Sequence, residues 1–236
     1  MPIKIIVSYD DTANDRDALA LGRVVADAGA TVSLAYVRHT QEDERGREER
    51  EAQELLERGA RELGLPDAER HVVVHASTGE GLWELADREK ADIVVFGSDY
   101  RTAPGAVQPG TSAQWLLEGG PAAVAIAPAD LRSRPRLELG RVGILAEGDA
   151  ASEETAAGLA AALGAIAVPS SDRVDLLVVA SRSEAPEGHV SLSATAQYAI
   201  ETSNCPVLAV ARNAPLHFVA PAPKTEPTVP AVPAGA

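Results

Sequence analysis

The chain of 236 residues has one cysteine, one methionine, two phenylalanines, two tryptophans and four tyrosines. With Cys205 alone, no disulfide can close within the chain and no paired-cysteine metal spacing exists. It stands in Asn204-Cys205-Pro206-Val207, just ahead of an apolar run, and reads as a packed thiol. Aromatics make up only 3%, so the core must be mostly Ala, Val, Leu and Ile, although apolar residues reach 45% and suffice for a sizeable interior. Positive charge is scarce too. Against 35 acidic residues stand 21 Lys and Arg, a net charge of −14. Such a surface repels nucleic acid and anionic membranes. No uninterrupted apolar run nears the about 18 residues of a membrane-crossing helix. The chain enters the apolar run Ile3–Val7 at once, without a basic region and a long apolar segment, so no secretory signal is expected and the cytoplasm is the expected compartment. A Gly-x-Ser-x-Gly elbow and a Walker-type Gly-Lys-Ser/Thr are both missing, and an efficient catalyst is not expected.

What is present is an alternation of short apolar runs and helical periodicities. The length suits one large domain or two small ones. Ile3–Tyr9 reads as a buried strand. Asp10-Asp11-Thr12 follows as a loop, with Asp11 or Thr12 placed to cap a helix over Asp15–Ala28 that Gly29 stops. Thr31–Val37 is a second strand. Glu42–Leu63 is highly charged, yet Ala52, Leu55, Leu56, Ala60 and Leu63 recur at helical spacing, and its charges read as a solvated face. His71–His75 is a third strand, and its two histidines read as hydrogen-bonded structural residues rather than metal ligands. Glu80–Lys90 is a helix, Ile93–Phe96 a strand, Thr111–Glu118 a helix and Ala123–Ala127 a strand. Trp83 and Trp115 read as packing aromatics on apolar helix faces. Strands alternating with helices predict an α/β fold, a doubly wound parallel sheet covered on both faces.

The chain then repeats itself. At an offset of 83, Asp92/Asp175, Val95/Val178, Ser98/Ser181, Gly105/Gly188, Val107/Val190, Ala113/Ala196, Gln114/Gln197 and Glu118/Glu201 are identical, eight of the 27 positions from Asp92 to Glu118. The second half begins at Val142–Ala146 and continues through an Ala-rich helix, Ala150–Leu163, stopped by Gly164. It is shortened. Where the first half uses 54 residues, Arg38 to Ala91, before its next strand, the second uses five, Ser170 to Val174. A parallel crossover takes about a dozen residues or more. Ile166–Val168 is therefore expected to belong to the return from the helix rather than to be a full strand, leaving the second half three core strands and two helices. Asn213–Ala236, with six prolines, is expected to be an extended, disordered tail.

The element order, an Asp directly after strand one, and a Gly-containing loop together resemble the universal stress proteins. Many members of that family carry Gly, two residues, Gly, nine residues, then Gly followed by Ser or Thr. Gly97 matches the first position, and Gly110-Thr111 matches the end after nine residues; Tyr100 stands at the second position, a departure. Asp10 matches the family's Asp, and Val37 falls where the family contacts adenine. The resemblance covers about residues 3–128 well and 142–211 as a shortened copy. It implies an adenine nucleotide alpha-hydrolase-like fold in tandem: a candidate nucleotide-binding domain at 1–128, a linker at 129–140, a degenerate domain at 141–212 and the tail at 213–236. It implies a ligand, ATP or another adenine nucleotide with accompanying Mg2+, held by Asp10, Val37, Gly97, Gly110, Thr111 and Ser112, and at most slow ATP hydrolysis.

Beside this stand the residues' own readings. Asp10 can bind adenine or ribose, or one of Asp10 and Asp11 can simply cap helix one. The amides of Thr111 and Ser112 begin a helix and favour an anion, or Thr111 is only an N-cap. Pro104 and Pro109 remove two donors from the loop, and Arg101 can pair with phosphate or be a surface residue. The second copy has Ala180, Ser183 and Ser193-Ala194 at the loop positions and Gly148 in place of Asp10, and is expected to bind no nucleotide. Alternatives are a family member that binds no nucleotide and acts as an interaction or scaffolding module, and an enzyme on the same fold. The strands Ala123–Ala127 and Val207–Ala211 are expected to pair the two halves within one chain, with a homodimer as the alternative. The inducing stress and the protein partner are not encoded in any recognisable motif.

Overall fold

Short runs of Val, Ile, Leu and Ala too brief for helices form nine strands among the residues that the computed structural model describes, which are 2–39, 45–134, 139–145, 149–171 and 173–219. The strands are β1 (Lys4–Ser8), β2 (Thr31–Arg38), β3 (Glu69–Val74), β4 (Ile93–Gly97), β5 (Ala123–Ala127), β6 (Arg141–Leu145), β7 (Ile166–Pro169), β8 (Leu176–Ala180) and β9 (Val207–Val210). Six helices connect them: α1 (Ala13–Asp27), α2 (Arg45–Leu63), α3 (Thr78–Glu89), α4 (Thr111–Leu117), α5 (Ala150–Leu163) and α6 (Ala194–Glu201). All strands lie in one sheet of order β3-β2-β1-β4-β5-β9-β8-β6-β7, parallel except where β5 meets β9. Helices α1, α2 and α5 cover one face and α3, α4 and α6 the other, each face with its own buried cluster. Among the described residues no helix is long and apolar enough to cross a membrane.

The seam between the halves keeps the offset of 83. Ala125 lies opposite Leu208, its own counterpart, and the flanking pairs Val124↔Ala209 and Ile126↔Val207 interchange under the same shift. Buried Ser98 donates to the Ala127 carbonyl (2.7 Å) and accepts from the Gln108 amide (3.2 Å); Ser181 does the same with Val210 (2.7 Å) and the Ser191 amide (3.2 Å). The Val107 amide reaches across to the Ser203 carbonyl, and the Val190 amide reaches back to Gly120. Each half thus closes the other's loop.

The second half departs from expectation at Ile166–Pro169. This is a strand after all, pairing in parallel with β6 at the sheet edge from Arg141↔Ile166 to Ile144↔Pro169. The half therefore has four strands, not three. A short connection suffices because β7 is only four residues long and the return to β8 runs directly over β6. Gly143 makes room for it: a Cβ there would stand 2.6 Å from Val174 Cγ1. The Asp175 carboxylate then ties the return down by accepting from the Gly140 and Arg141 amides (both 2.9 Å). No counterpart of β3, α2 or α3 is present in this half among the described residues.

The expected tail also differs over its first part. Leu216 is buried, its amide donates to Thr155 Oγ1 of α5 (2.9 Å), and Phe218 packs on the same cluster. Two apolar residues between prolines are enough to anchor residues 214–218 against α5. The rest of that tail, from residue 220, lies outside the described residues, as do positions 135–138 of the expected linker and Gly148.

Replacing Gly143 by Ala should overpack the strap and destabilise the protein by about 1–3 kcal/mol. Urea unfolding of Gly143→Ala measures this, and Val174→Ala in the same chain should recover part of the loss. An unchanged midpoint would mean that Val174 does not press on β6.

Candidate functional site

The sequence-predicted residues converge at the carboxyl edge of β2, β1 and β4, where the strand order reverses and α/β sheets hold their ligands. Ser8 pairs with Ala35, so two residues further on Asp10 is level with Val37. Val7 pairs with Val95, which carries Gly97 level with Tyr9. An antiparallel bridge between Ser98 and Pro109 then folds the loop back, bringing Gly110 and Thr111 beside the end of β4.

Asp10 is held out to solvent by its neighbours. Thr12, not Asp10 or Asp11, is the N-cap of α1, in a capping box with Asp15. The Asp15 carboxylate accepts from the backbone amides of both Asp10 and Thr12 (3.0 Å each). Asp11 takes a left-handed conformation, φ 56°, and is pinned by three donors: Tyr9 Oη (3.0 Å), Arg16 (2.7 Å) and Arg58 (3.2 Å). Burial, then donation to Asp11, holds the Tyr9 phenol far above its ordinary range, while that same hydrogen bond, followed by the two arginines, lowers the Asp11 carboxyl. The Asp10 carboxyl is exposed and accepts no hydrogen bond among the described residues. Its pKa is raised, first by partial desolvation and next by the Asp15 carboxylate, with His39 acting in the opposite direction.

The glycines divide into two kinds. Gly97 has an internal reason to be glycine, because a Cβ there would meet the Asn14 carbonyl oxygen at the start of α1 at 2.0 Å. Gly110 has none. Its φ is −74°, open to any residue, and a Cβ there would meet nothing within 4 Å. It is the N-cap of α4 without a side-chain cap, and the first helical bond is from the Gln114 amide to the Gly110 carbonyl (2.9 Å). The amides of Thr111, Ser112 and Ala113 therefore lack acceptors among the described residues, and the hydroxyls of Thr111 and Ser112 make no hydrogen bond there.

The loop between the two glycines is not a free cradle. The amides of Asp99, Arg101, Thr102, Gly105, Ala106, Val107 and Gln108 all donate within the protein. Tyr100 is 71% exposed, with the Arg101 guanidinium over its ring at 4.8 Å. A cavity of about 350 Å³ beside the start of α4 takes in Arg101 and Thr111, together with Asp99, Thr102, Gln108, Pro109 and Gln114. Asp10, Val37 and Gly97 do not line it. Val37 is buried with its side chain toward α3, where a Cβ on Gly81 would lie 3.1 Å from it, so only its backbone faces the sheet edge. Asp10, Gly110, Thr111 and Ser112 are thus left open among the described residues, without a cavity that Asp10 shares with the others, while Gly97 and the side chain of Val37 serve packing.

Sequence reasoning missed one carboxylate that holds this edge together. Asp17 is 1% exposed in the middle of α1 and accepts from the Asp130 amide (2.9 Å), the Arg132 amide (2.8 Å) and Arg132 Nη1 (2.8 Å). The signal was there: Asp17 shares a helix stripe with buried Leu21 and Val24. His75 has the hydrogen-bonded structural role read from the sequence, accepting from the Ser77 amide (3.0 Å) and standing near Glu80. One other sequence reading changes. Trp115 is 49% exposed rather than packed away, since its indole lies across Gly79 on the outer surface of α3.

Gly97→Ala should lose about 3 kcal/mol or more of unfolding free energy, because backbone cannot yield to the added carbon, whereas Gly110→Ala should change it by less than about 1 kcal/mol. Equal losses in urea unfolding would contradict the division. A second expectation concerns pH. Folded Asp10 binds its proton more tightly than the unfolded chain does, so the contribution of this one group to stability is fully present below the ordinary carboxylate range and is lost as pH rises through the raised value. Asp10→Asn should therefore be slightly more stable than the parent at neutral pH, with the gain vanishing in acid; a loss at neutral pH in thermal unfolding would refute this.

No family model and no curated protein matches the chain. Solved structures do. A universal stress protein from Archaeoglobus fulgidus DSM 4304 is 14% identical, with a TM-score of 0.59 over 89% of this chain and 98% of that one. A protein from Pseudomonas aeruginosa UCBPP-PA14 given the same family name is 13% identical, with a TM-score of 0.56 over 88% of this chain and 92% of its own. A protein of unknown function from Pseudomonas aeruginosa PAO1 is 12% identical, with a TM-score of 0.55 over 89% and 92%. At such identities the likeness is one of architecture, and on that ground the chain has the fold seen in universal stress proteins.

Proposed function

We propose that the protein is a universal stress protein whose first half binds an adenine nucleotide, ATP or a close relative, at the carboxyl edge of β1, β2 and β4. The observation that carries this reading is Gly110-Thr111-Ser112. A glycine with no internal packing reason precedes three amides without acceptors and two free hydroxyls. That set suits a phosphate, and with a net charge of −14 it is local donors, not the overall field, that must hold one. Asp10, exposed and without a hydrogen-bond partner for its carboxylate among the described residues, would accept from a ribose hydroxyl or an adenine amino group. The backbone of Val37 would border the adenine. Among the described residues no three His, Cys, Asp or Glu form a metal cluster, so Mg2+ enters the reading only in company with phosphate oxygens.

The second half is a shortened copy that binds no nucleotide. At its equivalent of Gly110, Ser193 caps α6 with its own hydroxyl, accepting from the Ala196 amide (3.0 Å). The pairing of β5 with β9 supports a tandem arrangement in which the halves pair within one chain. The absence of a recognisable catalytic set agrees with a binding and regulatory role, and the cytoplasm remains the expected compartment. A specific observation favours the alternative, a module that acts through protein contacts without a nucleotide: the loop's amides are almost all engaged internally, and Tyr100 replaces a family glycine.

Protein purified without added nucleotide, then denatured, should release ATP, ADP or AMP detectable by mass spectrometry. ATP at about 100 times its Kd should stabilise the fold by about 2.7 kcal/mol. The Asp10→Ala, Gly110→Val double variant should lose both effects. A clean preparation that shows no thermal shift with millimolar ATP would leave the scaffolding alternative.

A further inference from the structure

Helices α3 and α4 pack side by side on the face away from α1, and between them lies an open cleft of about 390 Å³. Its walls are Trp83 and Trp115, and its rim is Glu80, Glu84 and Glu118. These are the chain's only two tryptophans. Gly79 lets the Trp115 indole lie flat on α3, since a Cβ there would be 2.8 Å from Trp115 Cβ. Trp83 is steadied by a long hydrogen bond from its Nε1 to the Gly119 carbonyl (3.5 Å). None of the three glutamates carries a Lys or Arg ion pair among the described residues; Glu80 and Glu84 have only His75, at 3.7 and 3.9 Å. Two indoles and three carboxylates without a Lys or Arg partner among the described residues therefore share one small opening, in a protein whose net charge already draws cations.

We propose that this cleft is a docking site for an arginine side chain on a basic segment of a partner protein. A guanidinium stacks on an indole face and offers a fork of donors to carboxylates, which a compact ammonium does less well. The partner is a chain rather than a free cation because each contact is solvent-exposed and weak alone; useful affinity needs several along one segment. The opening is peculiar to the first half. Tyr198 stands at the position equivalent to Trp115 and is 68% exposed, but among the described residues the second half has no counterpart of α3 to close such a cleft. The site is separate from the proposed nucleotide edge, and neither depends on the other.

Because both tryptophans lie in the cleft, their fluorescence reports on it alone. The probe is a short acetylated, amidated Gly-Arg-Gly-Arg-Gly peptide, compared with the same peptide carrying neutral citrulline in place of arginine and with N-acetyl-arginine amide. A saturable emission change with the arginine peptide is expected, about tenfold weaker or absent with citrulline, and weakened by added salt and by the Glu84→Gln, Glu118→Gln double variant, whose surface changes leave the fold intact. Three results would overturn the proposal. They are no saturable change at millimolar peptide, equal binding of the citrulline peptide, or equal binding of N-acetyl-arginine amide, which would make the cleft a pocket for a free cation.

Discussion

The whole molecule turns on three residue pairs, the antiparallel contact of β5 with β9. Two mostly parallel sheets, each with an apolar edge strand, become one sheet there. A parallel sheet must be covered on both faces, and the seam makes each half supply part of the other's cover. Buried Ser98 and Ser181 explain how the seam is held. Each hydroxyl donates to the carbonyl of the neighbouring strand's last residue or close to it and accepts from its own loop. Each loop then sends one amide to the opposite half. At β5 and β9, where each half would otherwise expose unpaired edge groups, the other half stands, while β3 and β7 remain the edges of the sheet.

That reciprocity sorts structural residues from candidate functional ones without an alignment. What both halves keep at the offset of 83 is the seam: the serine clamp, the left-handed Gly105 and Gly188, and the inward Val107 and Val190. The loop from residue 98 to 109 is built the same way in the half with Gly110-Thr111 and in the half without it, so its shape serves the seam. Among the features of the first half that the second lacks are Gly110-Thr111 and Asp10. These are also the groups the structure leaves open. Difference between the halves and lack of internal partners among the described residues coincide at these positions.

Much of the fold was legible in the chain. Apolar run length separated strands from helices; Ala123–Ala127 and Ala150–Leu163 match their elements residue for residue. The crossover rule misled at Ile166–Pro169 because it assumes strands of ordinary length and side chains on the strand being crossed; here one is four residues long and the other has Gly143. Site residues were harder. A glycine in sequence does not say whether helix backbone or open solvent faces it, and Gly97 and Gly110 differ only in that. Trp115 was misread because a helical stripe shows which side of a helix is apolar, not whether a neighbour covers it to the end. Leu216 and Phe218 were missed among prolines because two anchoring residues make no period.

The difference in helix content between the two halves bears on both proposed sites. In the first half, α3 covers the sheet beside Val37 and gives Trp115 a surface to lie on. In the second half only six residues, 170–175, separate β7 from β8, and the equivalent aromatic, Tyr198, is exposed. The ground for an α3–α4 cleft and the strand and helices bordering the proposed adenine site are therefore confined to the first half among the described residues. The second half still has the serine, glycine and valine that its loop beside the seam uses. Pairing β5 with β9 needs only those shared features, which leaves the strand edge and the outer helix face of the first half as the places where the two proposals put specific contacts.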